Sequence, residues 1–156
     1  MYTDLFKTSN FRIQTRDSKH IDFFCQEASL PGYSIGEITL PFQSMKDHRP
    51  GDSIEFEPLS LTILCDEDLL AWKNVYDYLN LTHDAMTNRL EVQQEVFDAT
   101  LFLTTNKNNI KYEIKFYDAW FQSVSPLQFQ TISTDENNIT FTVGIVYNYY
   151  KLKVVK

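Results

Sequence analysis

Six apolar side chains stand on alternate positions from Ile139 to Tyr149: Ile139, Phe141, Val143, Ile145, Tyr147 and Tyr149. Only an extended strand puts such a series on one face, because successive strand side chains point to opposite sides. That face needs a second layer over it, so the chain must pack a sheet against a sheet or a helix. Weaker copies of the same period recur. Phe11, Ile13 and Thr15 alternate with Arg12, Gln14 and Arg16. Asp17-Ser18-Lys19 has turn chemistry, and Ile21 to Ala28 is expected to pair back on the first strand as a hairpin. Phe97 to Thr105 and Lys111 to Val124 read as strands, joined across Asn106 to Asn109. Leu127 to Ser133 is expected to form a closing hairpin with Ile139–Tyr149.

Two strands change parity part-way. Ile54 and Phe56 point one way, while Leu59, Leu61 and Ile63 point the other. One extra residue would keep all five on the core face, and a β-bulge at Pro58 is expected. Tyr112, Ile114 and Phe116 likewise switch to Tyr117, Ala119 and Phe121, which predicts a bulge near Tyr117 to Trp120. Leu30-Pro31-Gly32 ends the second strand, since proline lacks a ladder donor and glycine permits a positive φ. Tyr33 to Phe42 alternates weakly and, with Pro41, reads as an edge strand or hairpin arm.

Residues 43–53 are polar, with no secondary-structure signal except Pro50-Gly51. A structureless loop of that length in a compact domain is usually functional or ordered by a partner. Met45, Lys46, Asp47, His48 and Arg49 are its candidate contact residues. Read as a site, they form an arm that reaches a neighbouring subunit; read plainly, they are a solvated loop tip.

One helix is expected, over about residues 66–80. Asp66 is placed as its N-cap, with Glu67 and Asp68 at the positive end of the dipole. Leu69, Trp72, Val75, Tyr76 and Leu79 then make an apolar stripe. Residues 83–95 are expected to be a loop or short helical turn, residues 1–9 an N-terminal arm, and residues 151–156 a basic C-terminal tail. With seven to nine strands, the chain is expected to be one domain over 1–156, an antiparallel β-sandwich or barrel with a flanking α-helix.

Composition excludes several classes. The 156 residues carry a net charge of -7, so the basic footprint that nucleic-acid binding by counterion release requires is missing. A surface past which DNA must slide would be negative or neutral for the same reason. With 4 glycines and no pair at phosphate-loop spacing, a nucleotide-binding loop is not expected. His20, His48 and His83 lie in no nucleophile motif, Cys25 and Cys65 in no metal-ligand spacing, and both cysteines read as small buried hydrophobes. Asp66, Glu67 and Asp68 read as helix capping rather than as ligands for a hard cation. Neither an enzyme, a cofactor nor a bound metal is expected. No apolar run reaches membrane-helix length, and the first residues lack a secretion signal, so synthesis in a cytoplasm is expected.

The order of the short motifs carries a resemblance. Leu30-Pro31-Gly32, Gly36-Glu37-Ile38, Pro50-Gly51-Asp52, Phe56-Glu57-Pro58-Leu59 and Asp66-Glu67-Asp68 are followed by Trp72 and Tyr76-Asp77-Tyr78-Leu79. Phe116 to Trp120, Leu127-Gln128-Phe129, Asp135-Glu136 and Tyr147-Asn148-Tyr149-Tyr150 complete the series. From about Asn10 to Lys153 the chain resembles the tail-tube superfamily of contractile-tailed phages, most of all its tail tube terminator (tail completion) branch in T4-like phages. The resemblance implies a structural virion protein whose copies, six in number, close into a ring. That ring would end the tail tube at the head-proximal end and meet the tail tube protein, the sheath terminator or neck proteins. DNA would pass through the lumen without specific contacts, and assembly would take place in the host cytoplasm. The loop at 43–53 occupies the place of the family's inter-subunit arm. Alternatives are the major tail tube protein or the baseplate tube initiator of the same superfamily, and a monomeric β-sandwich binding module.

Overall fold

The computed structural model describes residues 7–15, 19–42, 45–82, 96–130 and 138–155. Its elements are β1 (Phe11–Thr15), α1 (Lys19–Phe24), β2 (Cys25–Ser29), β3 (Tyr33–Phe42), β4 (Met45–Phe56), β5 (Leu59–Leu64), α2 (Leu70–Thr82), β6 (Phe97–Thr104), β7 (Ile110–Val124), β8 (Thr140–Val146) and β9 (Tyr149–Val154).

The fold is built on β7. From Tyr112 to Val124 it faces β9 and then β8, in one antiparallel register from Tyr112 to Phe121 that shifts by one residue before Ser123, with Trp120 opposite Val146 and Tyr117 opposite Tyr149. On its other side, the first half of β7 pairs with β6, and β6 pairs with β1. Beyond β8 the order continues through β5 to β2. One long bent hairpin therefore carries two half-sheets, β9-β7-β6-β1 and β7-β8-β5-β2. The bend lies where the sequence switches parity. Ala99 faces Phe116 but Phe97 faces Ala119, which leaves one extra residue on β7. Asp118 absorbs it at φ 51, and its carboxylate accepts a 3.0 Å hydrogen bond from the Asn148 side-chain amide. This is the bulge expected near Tyr117 to Trp120, and it increases the local twist and turns the half-sheets toward each other.

Alternation accounts for the core between them. Ile13, Leu101, Ile114 and Phe116 project from one half-sheet, and Leu61, Ile63, Phe141, Val143 and Ile145 from the other, all essentially solvent-free. Helix α2 packs Ala71 and Val75 on this core, and the Tyr78 ring meets Phe121 edge-on at 5.1 Å. The flanking helix is confirmed, starting four residues and ending two residues later than expected. Asp66 is not its N-cap: the Asp66 carbonyl accepts the Leu69 N–H in a turn, and the Leu69 carbonyl accepts the first helical N–H, from Lys73. Leu69, at φ 54, is thus the residue that half-enters the helix. The buried stripe is rotated accordingly, centred on Ala71 and Val75, with Tyr76 and Leu69 outside it.

Other expectations fail for tertiary reasons. Ile21 to Ala28 is not a second strand hairpinned to the first: Ile21 is buried in α1, and β2 pairs with β5. Pro58 does not mark a bulge within one strand. The chain leaves one sheet at Phe56 and enters another at Leu59, so the parity switch is a change of sheet. Residues 127–130 form no strand, and β8 is flanked by β5 and β7; the rest of that expected strand, 131–133, lies outside the described residues. The expected tail over 151–156 is mostly strand, as β9. Gly32 does not adopt a positive φ; its missing Cβ leaves room for the Glu57 carboxylate, 3.2 Å from where that atom would sit. The reading of 83–95, and all but three residues of the proposed arm over 1–9, lie outside the described residues.

Candidate functional site

Residues 43–53 are not a structureless loop. From Met45 onward they belong to β4, which pairs with β3 from Phe42↔Met45 at the tip to Tyr33↔Phe56 at the base. The sequence hid this strand because its residues are polar on both faces, as a two-stranded ribbon with no layer above or below permits. Near the middle the register shifts, with Ile35 opposite Ile54 but Glu37 opposite Pro50. Gly51 is required there, since a Cβ would lie 2.7 Å from the Gly36 carbonyl oxygen.

Both ends of the ribbon are clamped where they leave the main sheet. The Glu57 N–H donates to the Gly32 carbonyl at 3.1 Å, and the Gly32 N–H donates to the Glu57 carboxylate at 3.2 Å. The Tyr147 hydroxyl donates to the Glu57 carbonyl at 2.7 Å, and the Tyr150 hydroxyl donates to the Pro31 carbonyl at 3.3 Å. The rings of Phe56, Tyr147 and Tyr150 lie within 6.0 Å of one another, tilted or edge-on, which favours aromatic pairs. Burial, first of all, pushes the Tyr147 phenol up to about 12, so it is a permanent donor at neutral pH. The ribbon is thus anchored at its base and projects from there.

All five sequence-predicted residues, Met45 to Arg49, lie on this projection and are exposed. They do not converge on a common point. His48 pairs with Glu37 across the ribbon, and Arg49 donates to Asp47 at 3.0 Å along β4. Exposed pairs of this kind add little to stability. The sequence reading missed the apolar side chains beside them: Tyr33, Ile35, Ile38, Leu40 and Ile54 are all exposed. The sequence pattern marks Tyr33 to Phe42 only as a weakly alternating edge strand or hairpin arm, and of these residues it places Ile54 alone on the core face. Ile35 and Ile38 differ in parity, so exposed apolar side chains stand on both faces of the projecting ribbon beside ion pairs, which is the chemistry of a docking surface.

A second surface differs sharply. The strands β2, β5 and β8 contain no lysine or arginine, and Glu27 is their one charged residue. Ser60, Thr62, Thr140 and Thr142 lie on the face turned away from the core. A shallow depression of about 430 Å³ on this face is lined by Ser60, Ser123, Ser125, Thr142 and Gly144 among others. The opposite half-sheet carries the cations: Lys115 is bound to Asp98 at 2.9 Å, and Lys151 lies over the Tyr117 and Tyr149 rings, 5.7 Å from each centroid. Cys25, half-buried, is pushed up to about 11 by burial, and the Cys65 thiol is raised for the same reason, so both are poor nucleophiles.

Comparison with known proteins agrees with this architecture. The family model described as phage tail tube protein matches residues 2–153. The tail tube terminator protein of Enterobacteria phage T4 is 27% identical over 154 residues, covering 94% of this chain and 88% of the relative. Among solved structures, the tube-terminating cap of the anti-feeding prophage superposes with a TM-score of 0.74 at 13% identity, covering 99% of this chain and 95% of the cap. The sheath/tube terminator of an extracellular contractile injection system superposes with a TM-score of 0.72 at 14% identity, over 98% and 99% of the two chains.

Proposed function

The chain belongs to the phage tail tube protein family, and from that premise we propose that it is a structural ring protein that terminates a tail tube at its head-proximal end. Similarity to a tail tube terminator over nearly the full length supports this position in the tube. The observation that carries the ring itself is the clamped β3–β4 ribbon, whose apolar side chains project where, among the described residues, no other layer of the chain covers them. An isolated two-stranded ribbon is marginal in water, and an apolar one invites association. Met45 to Arg49 stand at its outer end and are the contact residues toward a neighbouring copy.

Six copies close the ring, and its free end meets the neck or the sheath terminator. DNA passes through the lumen along the Ser/Thr face of β2, β5 and β8. Without a fixed cation that face cannot hold phosphate by counterion release. The acidic balance of the chain thus resolves into a neutral wall rather than an acidic one.

Electron microscopy of the purified protein tests the position. Single rings that bind the end of a tube and do not elongate are the expected result. Long tubes at high concentration would make the chain a major tube subunit instead, and a persistent monomer would leave a free binding module.

A further inference from the structure

The last strand offers a counterpart to the ribbon within the same chain. β9 pairs only with β7, so among the described residues its other edge is open, with unpaired backbone donors and acceptors. Leu152 and Val154 are 54% and 55% exposed, although Leu152 stands opposite the fully buried Ile114. They continue a core face beyond the point where any layer covers it. Lys151 and Lys153 alternate with them on the other face, and β9 contains no carboxylate.

β3 has the complementary pattern. Among the described residues it pairs only with β4, which leaves its second edge open as well. Ile38 and Leu40, 45% and 42% exposed, alternate with Glu37 and Thr39. The ribbon as a whole holds four carboxylates (Glu37, Asp47, Asp52 and Glu55) against two cations (Lys46 and Arg49). Strand addition across two open edges keeps alternate side chains on alternate faces. In one parity it sets Ile38 and Leu40 beside Leu152 and Val154, and at the same time Glu37 beside Lys151 and Lys153.

We propose that β3 of one copy adds to the open edge of β9 of a second copy, so that the ribbon of each subunit covers the unfinished end of its neighbour's sheet. This rests on the ring reading and names the acceptor surface within it. The contact is heterologous, the same chain giving a ribbon and receiving one, and a heterologous contact that closes makes a ring. Directly opposed residues on neighbouring strands have Cβ atoms about 5 Å apart, close enough to cross-link.

The test uses the full chain with Cys25→Ser and Cys65→Ser as background. Leu40→Cys is placed in one preparation and Leu152→Cys in another, and the two are mixed and treated with a short bismaleimide. Cross-linked dimers that require both preparations are expected. Rings that form, by light scattering, without the mixed cross-link would overturn the acceptor assignment and leave the ring reading standing. A chain that stays monomeric at every concentration would overturn both. Because a cysteine variant can misfold, charge reversal is the second arm. Lys151→Glu with Lys153→Glu is expected to weaken self-association at least tenfold without changing the monomer's melting temperature, and Glu37→Lys to restore most of it. Reversal without effect on association would overturn the proposal.

Discussion

Two antiparallel hairpins of similar reach behave in opposite ways here. Along β7 and β8, alternate side chains vanish from solvent, with Ile114, Phe116, Val143 and Ile145 all at 0% exposure. Along β3 and β4, the apolar residues Ile35, Ile38, Leu40 and Ile54 remain about half exposed. Local pattern is comparable in the two; what differs is whether a second layer lies over the strands. The first hairpin bends at Asp118 and closes on β5, β6 and α2. The second leaves the sheet at Pro31-Gly32 and Glu57-Pro58 and, among the described residues, meets no second layer. Apolar alternation therefore marks a face that must be covered, and does not say by which molecule.

The comparison is most easily broken at the centre of the first hairpin. Phe116→Ala is expected to destabilise the chain by about 4 kcal/mol, because a fully buried ring is lost and a cavity remains. Urea denaturation measures it, and a loss below about 1 kcal/mol would mean that this hairpin is not the core. Trp72→Ala should cost less, about 2 kcal/mol, since the indole is half-buried, stacked on Tyr76 at 5.2 Å, and donates one 3.5 Å hydrogen bond to the Ser125 carbonyl. An effect as large as that of Phe116→Ala would show that α2 belongs to the core rather than to its flank.

Tyr147→Phe probes the clamp between the two regions. Loss of the hydroxyl that serves the Glu57 carbonyl at 2.7 Å should cost about 1 kcal/mol at neutral pH. It should also change the alkaline limb. Tyr147 holds its proton more tightly in the folded chain, up to about 12, than in the unfolded one, where tyrosine titrates near its ordinary value of about 10. Its contribution is complete below that ordinary value and is lost as pH rises toward about 12, so Tyr147→Phe should flatten the stability profile in that window. Cys25 titrates higher in the folded chain too, at about 11, and the comparison is best made in a Cys25→Ser background. An unchanged profile would mean that the phenol is not shielded. The smallest effect is expected on the ribbon. Leu40→Ser should move monomer stability by no more than about 0.5 kcal/mol, because the side chain meets solvent already. A larger loss would show that the monomer itself covers the ribbon.

The two bulge expectations show how far the strand pattern could be read. Both rested on the same signal, a change of parity within an apolar run. At Tyr117 to Trp120 the change is a bulge, with Asp118 at φ 51. At Pro58 it is a passage from the ribbon to the main sheet. A parity change reports that the strand's buried side has been reset, and either event resets it. The candidate site was legible in the same partial way. Met45 to Arg49 were found because a long polar stretch stood out, but their strand was missed because neither face is buried. Ile38 and Leu40 were read as part of an edge strand or hairpin arm, which β3 is, but their exposure as an apolar surface was not foreseen.

By itself, the order of residues determined that this chain is a β protein with one substantial amphipathic helix on its flank, and where its main hairpin would be interrupted. Those features depend on side-chain period and local backbone chemistry, which act between near neighbours. Only the tertiary structure decided which strands share a sheet, that Ile21 lies in a helix rather than a strand, and that the β3–β4 ribbon stands outside the core. These depend on pairings between residues far apart in the chain, where many partners satisfy the same period and the choice falls to the one arrangement that covers most of the apolar faces at once.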